Sequence, residues 1–259
     1  MEMLSHIRTL ANHPQALRPL KHIFLLSHMR AYTSLLGHIL GDNPEIEGYY
    51  EMHIGYFSWK SLIRQQLLYF KDHTPKSGAR FIFDKILHNE HHVASNILER
   101  KECFNIFSMR EPKETIKSIV AQFRRVRPGH SMCETQAVID YYQSRLTNLS
   151  ELSSQIQGKY LYMDAQALKQ NPNATLASLT SYLELEYPLS PDYQLRPKTG
   201  KGDSGDHSPN LLTGKLMDYQ TDYSEIKLPD DAIENLTNLY QKTRTQLVQN
   251  AKEPILVSS

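Results

Sequence analysis

Two groups of residues in this sequence have the chemistry of anion sites. Arg30, Thr33 and Ser34 follow the apolar run His22–Leu26 and open a helical pattern. A strand, a short turn and a helix start leave unpaired N–H groups and a positive dipole end, to which Arg30 adds a full charge and Thr33 and Ser34 add hydroxyl donors. Arg110 follows a second apolar run, Cys103–Phe107, and Ser118 comes eight residues later inside the next helical pattern. Ligands of open α/β sheets bind at the carboxyl ends of strands, where Arg110 falls. Further titratable groups stand at other strand ends. Glu51 and His53 follow Ile46–Tyr50, and Lys85 follows Arg80–Phe83. Each also has an ordinary reading: a surface arginine at a helix start, a solvated strand-end carboxylate, or an ion pair of Lys85 with Asp84.

The elements that must position these groups alternate. Five strand-sized apolar runs, His22–Leu26, Ile46–Tyr50, Arg80–Phe83, Cys103–Phe107 and Tyr160–Met163, are separated by longer helical patterns. Helices are expected near 31–40, 56–70, 112–127, 132–157, 175–185 and 230–249. Leu35, Leu36, Ile39 and Leu40 form one stripe, and Ile116, Ile119, Val120 and Phe123 another, behind Pro112 as a good first helical residue. Strands alternating with helices predict an α/β domain with a mainly five-stranded parallel sheet between helical layers. The Gly-, Ser- and Asp-rich stretch 198–212 is a long loop, and such loops are often functional.

Composition sets bounds. A chain of 259 residues buries a core without staples, and a formal charge of +1 gives no global field for nucleic acid or an anionic membrane. Local basic pockets must therefore hold any anionic ligand. Two cysteines, Cys103 and Cys133, make no disulfide framework, and no run of apolar residues is long enough to span a bilayer. Both features point to the cytoplasm. His88, His91 and His92 form a cluster whose spacing fits no standard zinc site. The basic run Arg124, Arg125 and Arg127 complements a helix end rather than nucleic acid.

The run Arg30-Ala31-Tyr32-Thr33-Ser34-Leu35-Leu36 resembles the 5′-phosphosulfate loop of the sulfotransferase family, roughly Arg-Ser-Gly-Thr-Ser-Leu-Leu, and departs from it at Ala31 and Tyr32. Arg110, Pro112 and Ser118 resemble the family's 3′-phosphate motif, 80 residues after the first loop. The segment from Tyr160 through Asp164 and Pro172 resembles the family's late strand and helix, with one of its two carboxylates missing. The loop at Lys201, Gly202 and Asp203 resembles its late glycine-containing loop. The resemblance spans about residues 20–215 and leaves 216–259 as a helical cap of a single P-loop-like three-layer domain.

The resemblance implies an enzyme that moves a sulfuryl group from 3′-phosphoadenosine 5′-phosphosulfate to a hydroxyl or amine of a small-molecule or glycan acceptor, without a metal. It implies that Arg30, Ala31, Tyr32, Thr33 and Ser34 hold the 5′ end of the donor. Arg110 and Ser118 hold the 3′-phosphate, with Lys201 and Gly202 as further contacts, while Lys198 reads rather as a solvated loop charge. Sulfuryl transfer needs a base for the acceptor proton and a cation at the bridging oxygen. Glu51 matches the base, with His53 its competitor, and Lys85 matches a lysine near the transferred group. Two rival readings stand beside this one. Phe81–Asp84 resembles a Walker B strand, as in a P-loop kinase, although G-x-x-x-x-G-K-[ST] is absent. The altered loop at Ala31 and Tyr32 also allows an inactive nucleotide-binding protein.

Overall fold

The computed structural model describes residues 18–201, 207–217 and 221–257. Among these, six strands form one parallel sheet in the order β2-β3-β1-β4-β5-β6. The strands are β1 (Lys21–Leu26), β2 (Ile46–Glu47), β3 (Phe81–Ile86), β4 (Cys103–Met109), β5 (Tyr160–Asp164) and β6 (Glu253–Ile255). The first five correspond to the predicted runs. β6 lies in the segment read as a purely helical cap, and its three residues are too few to leave a strand pattern.

The sheet is central because its strands are apolar on both faces. Phe24 and Leu26 of β1 pack with Ile116, Ile119 and Val120 of one helix, α4 (Pro112–Val126), and with Tyr142 and Leu146 of another, α5 (Thr135–Gln155). Ile23 and Leu25 point the other way, onto Leu36, Ile39 and Leu40 of α1 (Thr33–Asp42) and Leu176 and Leu179 of α7 (Pro172–Tyr182). Successive side chains leave a strand on opposite faces, so a doubly apolar strand demands helices on both sides. Each fully buried large aliphatic contributes about 1.5–3 kcal/mol. The remaining helices are α2 (Trp59–Phe70), α3 (Ser95–Leu98), α6 (Ala167–Gln170) and α8 (Asp230–Asn250).

Two expectations are corrected. The second strand stops at Glu47, because Gly48 turns the chain at φ 84°, where a Cβ would meet the Phe83 carbonyl oxygen at 2.6 Å. α2 begins at Trp59 rather than Tyr56, and its buried side is Leu62, Gln65, Gln66, Tyr69 and Phe70, leaving Trp59 54% exposed. Tyr56 instead makes an isolated parallel bridge with Val93.

β1 has β3 on one side and β4 on the other, so the loops leaving β1 and β4 diverge. Their carboxyl ends form the crevice that such a reversal creates. Arg30, Thr33, Ser34, Glu51, His53, Lys85 and Arg110, singled out near strand ends in the sequence, all belong to segments on this rim.

Candidate functional site

The loop after β1 makes a left-handed turn without glycine. Arg30 has φ 64° and Tyr32 φ 56°, and the Leu36 N–H closes the first turn of α1 on the Tyr32 carbonyl at 3.0 Å. A non-glycine residue there costs about 1–2 kcal/mol. Tyr32 recovers part of this through its ring, which lies 4.8 Å from the Arg110 guanidinium and 5.5 Å from the Lys169 ammonium. Ala31 is buried and does not line the cleft described below, whereas Thr33 and Ser34 do.

The two anion motifs meet in space. Arg30 Nε donates to Ser118 Oγ at 2.9 Å, and Arg110 Nη1 donates to the Arg30 carbonyl at 3.2 Å. Ser118 is buried rather than an exposed helical serine, because Arg30 and Tyr223 cover it; the Tyr223 hydroxyl donates to the same Oγ at 3.0 Å. Tyr223 lies in the C-terminal region, where the sequence showed no motif.

His28 joins the two loops. Its Nε2 accepts the Arg110 N–H at 3.0 Å, so the proton sits on Nδ1, which donates to the Met29 carbonyl at 2.9 Å. Burial lowers its pKa to about 4 and keeps it neutral. Arg145 of α5, fully buried, donates from Nε to the Ser27 carbonyl at 2.7 Å and from Nη2 to the Ile86 carbonyl at 2.6 Å. It thereby clamps the ends of β1 and β3. Burial draws its pKa down to about 10, which still leaves it charged at neutral pH. A buried arginine with carbonyl partners leaves no sequence signal, since its spacing matches any helix surface.

Strand pleating separates Asp84 from Lys85. Lys85 shares the face of Phe83 and α1, and its Nζ donates to Ser34 Oγ at 2.9 Å. Asp84 faces the other side, where it accepts the Tyr56 hydroxyl at 2.6 Å and the N–H groups of Met52 and Lys85 at 2.9 and 2.8 Å. Burial raises its pKa to about 7 despite these donors. The expected ordinary role for Lys85, a side-chain pair with Asp84, is not what the fold builds.

Glu51 is 6% exposed, and its Oε1 has no hydrogen-bond partner. That oxygen lies 3.7 Å from His53 Nδ1, which lies 3.2 Å from His91 Nε2. His53 reaches this position from a left-handed backbone, φ 54°.

A cleft of about 1080 Å³ runs along this rim and is lined by Arg30, Tyr32, Thr33, Ser34, Glu51, His53, Lys85, Arg110 and Ser118. Lys169, Arg127 and Lys215 add further cations to its walls. The volume suits a large nucleotide with space for a second reactant. Lys198 and Lys201 stand apart from it. Lys198 Nζ packs over the Tyr50 ring at 3.8 Å, exposed Lys201 does not line the cleft, and Gly202 lies outside the described residues. Nor do Phe57 and Trp59 line it; both face solvent. Asp164, the acidic residue of the late strand, accepts both Arg244 Nε and Nη2, at 2.7 and 2.6 Å, and ties α8 to β5.

No protein-family model and no curated protein sequence matches this chain. Its structure is similar to the sulfotransferase domain from the curacin biosynthetic pathway, with a TM-score of 0.54 and 16% identity over 89% of this chain and 98% of that one. It is also similar to mouse sulfotransferase SULT7A1 complexed with PAP, with a TM-score of 0.55 and 14% identity over 95% of this chain and 90% of that one. The six-stranded parallel sheet with its flanking helices is therefore the fold that sulfotransferases use.

Proposed function

We propose that this protein transfers a sulfuryl group from 3′-phosphoadenosine 5′-phosphosulfate to a hydroxyl or amine of a small-molecule or glycan acceptor. The observation that carries the reading is the pair of cationic centres in one cleft: Arg30 at Ser118 with Arg110 on the Arg30 carbonyl, and Lys85 at Ser34. A donor with phosphate at both its 3′ and 5′ ends needs two such centres, whereas ATP needs one. SULT7A1, which shares the fold, was crystallised with PAP.

In this reading Arg110 and Ser118 hold the 3′-phosphate. Thr33, Ser34 and the first N–H groups of α1 hold the 5′-phosphosulfate. Arg30 serves both ends, since its backbone forms the turn and its guanidinium reaches Ser118. Lys85 neutralises charge that develops on the bridging oxygen as the sulfur–oxygen bond breaks. Glu51, which lines the cleft, takes the acceptor's proton. The electron pair of the broken bond stays on the phosphate, and the sulfuryl group moves to the acceptor oxygen or nitrogen.

The test is transfer of labelled sulfate from the donor to a panel of acceptors in the presence of a chelator, run beside labelled ATP with magnesium. Sulfate transfer is the expected result. Phosphate transfer from ATP alone would instead make this a kinase, and donor binding with no transfer to any acceptor would make it a binding protein.

A further inference from the structure

We infer that Glu51, His53 and His91 form a binding site for a divalent transition-metal ion of the zinc class, and that its occupation shuts off the acceptor side of the cleft. The ligand atoms of the three residues lie within 4.8 Å of one another. A tetrahedral zinc ion with bonds of about 2.0–2.1 Å spaces its ligand atoms about 3.3–3.4 Å apart. His53 Nδ1 and His91 Nε2 are 3.2 Å apart, and Glu51 Oε1 is 3.7 Å from His53 Nδ1. The set is thus close to coordination distance without rearrangement of the chain.

The independent observation is the carboxylate. Glu51 is more than nine-tenths buried, yet Oε1 has no hydrogen-bond donor. A buried carboxylate oxygen without a donor is costly, and a cation beside it removes that cost. Two imidazoles and one carboxylate are the donor set of three-ligand zinc sites, which keep a fourth position for water. In the metal-free protein the two rings are hydrogen-bonded across the 3.2 Å contact, and a metal ion takes the place of that bond.

Backbone pairing holds the site together. The Tyr56 N–H donates to the His92 carbonyl at 2.8 Å, and the Ala94 N–H to the Tyr56 carbonyl at 2.9 Å. This bridge lays the segment carrying Glu51 and His53 beside the one carrying His91. Residues 38 positions apart become one donor set, which the local spacing of the histidine cluster conceals.

The inhibitory consequence rests on the reading of Glu51 as the base: a carboxylate bound to a metal cannot accept the acceptor's proton. The metal is not required for transfer; it competes with it.

The experiment titrates the purified protein with Co²⁺, following the visible bands of low-coordinate cobalt, and then displaces it with Zn²⁺. One equivalent is expected. His91→Ala, and separately His53→Asn, which tolerates the left-handed backbone, should weaken binding by more than the about 10–100-fold that loss of an outer partner costs. His92→Ala should leave it intact. Absence of saturable binding, or binding that His91→Ala leaves unchanged, overturns the site. Loss of binding in His92→Ala equal to that in His91→Ala also overturns it, by assigning the metal to the histidine loop. In the transfer assay, Zn²⁺ should inhibit the wild type and not His91→Ala. Stoichiometric binding through His91 with undiminished transfer overturns the inhibition and the role of Glu51 as base, while the metal site stands. Absence of binding alongside a dead Glu51→Gln overturns the site and leaves the base.

Discussion

Arg30 donates from Nε to the hydroxyl of Ser118 at 2.9 Å, although 88 residues separate them. The contact joins the turn after β1 to the first half of α4. It makes one electropositive pocket from two segments whose sequence motifs are individually weak. Arg110 completes it by donating to the Arg30 carbonyl.

This pocket should prefer a nucleotide with a 3′-phosphate. 3′-Phosphoadenosine 5′-phosphate should raise the thermal midpoint more than 5′-AMP does, and at 100 times its dissociation constant it should add about 2.7 kcal/mol of stability. Arg110→Ala should abolish the difference between the two nucleotides. Arg30→Ala should weaken both, because Arg30 forms the turn and reaches Ser118. Equal midpoints for both nucleotides in the wild type would remove the 3′-phosphate site.

Turnover should depend on Glu51 and Lys85 more than on His53. Glu51→Gln should lower it about 10²–10⁴-fold with donor affinity nearly unchanged. Lys85→Ala should cost on the order of 3 kcal/mol in the barrier, since it removes the cation beside Ser34. His53→Ala should be mild. Single-turnover rates with saturating donor decide this, and a dead His53→Ala with an active Glu51→Gln would reverse the two roles.

Tyr32 should be better replaced by glycine than by alanine. At φ 56° the backbone disfavours any residue with a Cβ, and both substitutions lose the ring contacts with Arg110 and Lys169. Tyr32→Gly should therefore be about 1–2 kcal/mol more stable than Tyr32→Ala. In an ordinary helical position the order would be the opposite. Urea midpoints of the two variants measure the difference directly.

Acid should destabilise the fold through its buried histidines. Burial lowers the pKa of both His28 and His22 from 6.5 to about 4, so the unfolded chain binds protons that the folded chain does not. Stability present above about pH 6.5 is lost as the pH falls toward 4, on the order of 3 kcal/mol for a fully buried site. Asp84 acts in the opposite sense, because its pKa is raised to about 7 and the folded state keeps its proton; stability falls as the pH rises from about 4 to 7. His28→Asn should flatten the acid limb between pH 6.5 and 4 whatever its effect on stability at neutral pH. A wild-type slope in that variant would show that His28 does not titrate as described.

The alternation of apolar runs with helical stripes was legible in the residues themselves, and it determined the α/β class, five of the six strands and the position of the long helices. Period is a local property: β1 is apolar at consecutive positions and α4 at every third or fourth, whatever surrounds them. The turn and helix start at Arg30, Thr33 and Ser34, and the Arg110–Ser118 spacing, were legible for the same reason. Register and partners were not. Only the folded chain decides that Lys85 turns to Ser34 while Asp84 turns to Tyr56, because strand pairing sets which face meets α1. Only it buries Arg145 against the Ser27 and Ile86 carbonyls, brings Tyr223 to Ser118, and sets His91 beside Glu51 and His53. These contacts join segments far apart in the chain. Their energy comes from removing the groups from water together, and that depends on a three-dimensional neighbourhood that no window of sequence contains.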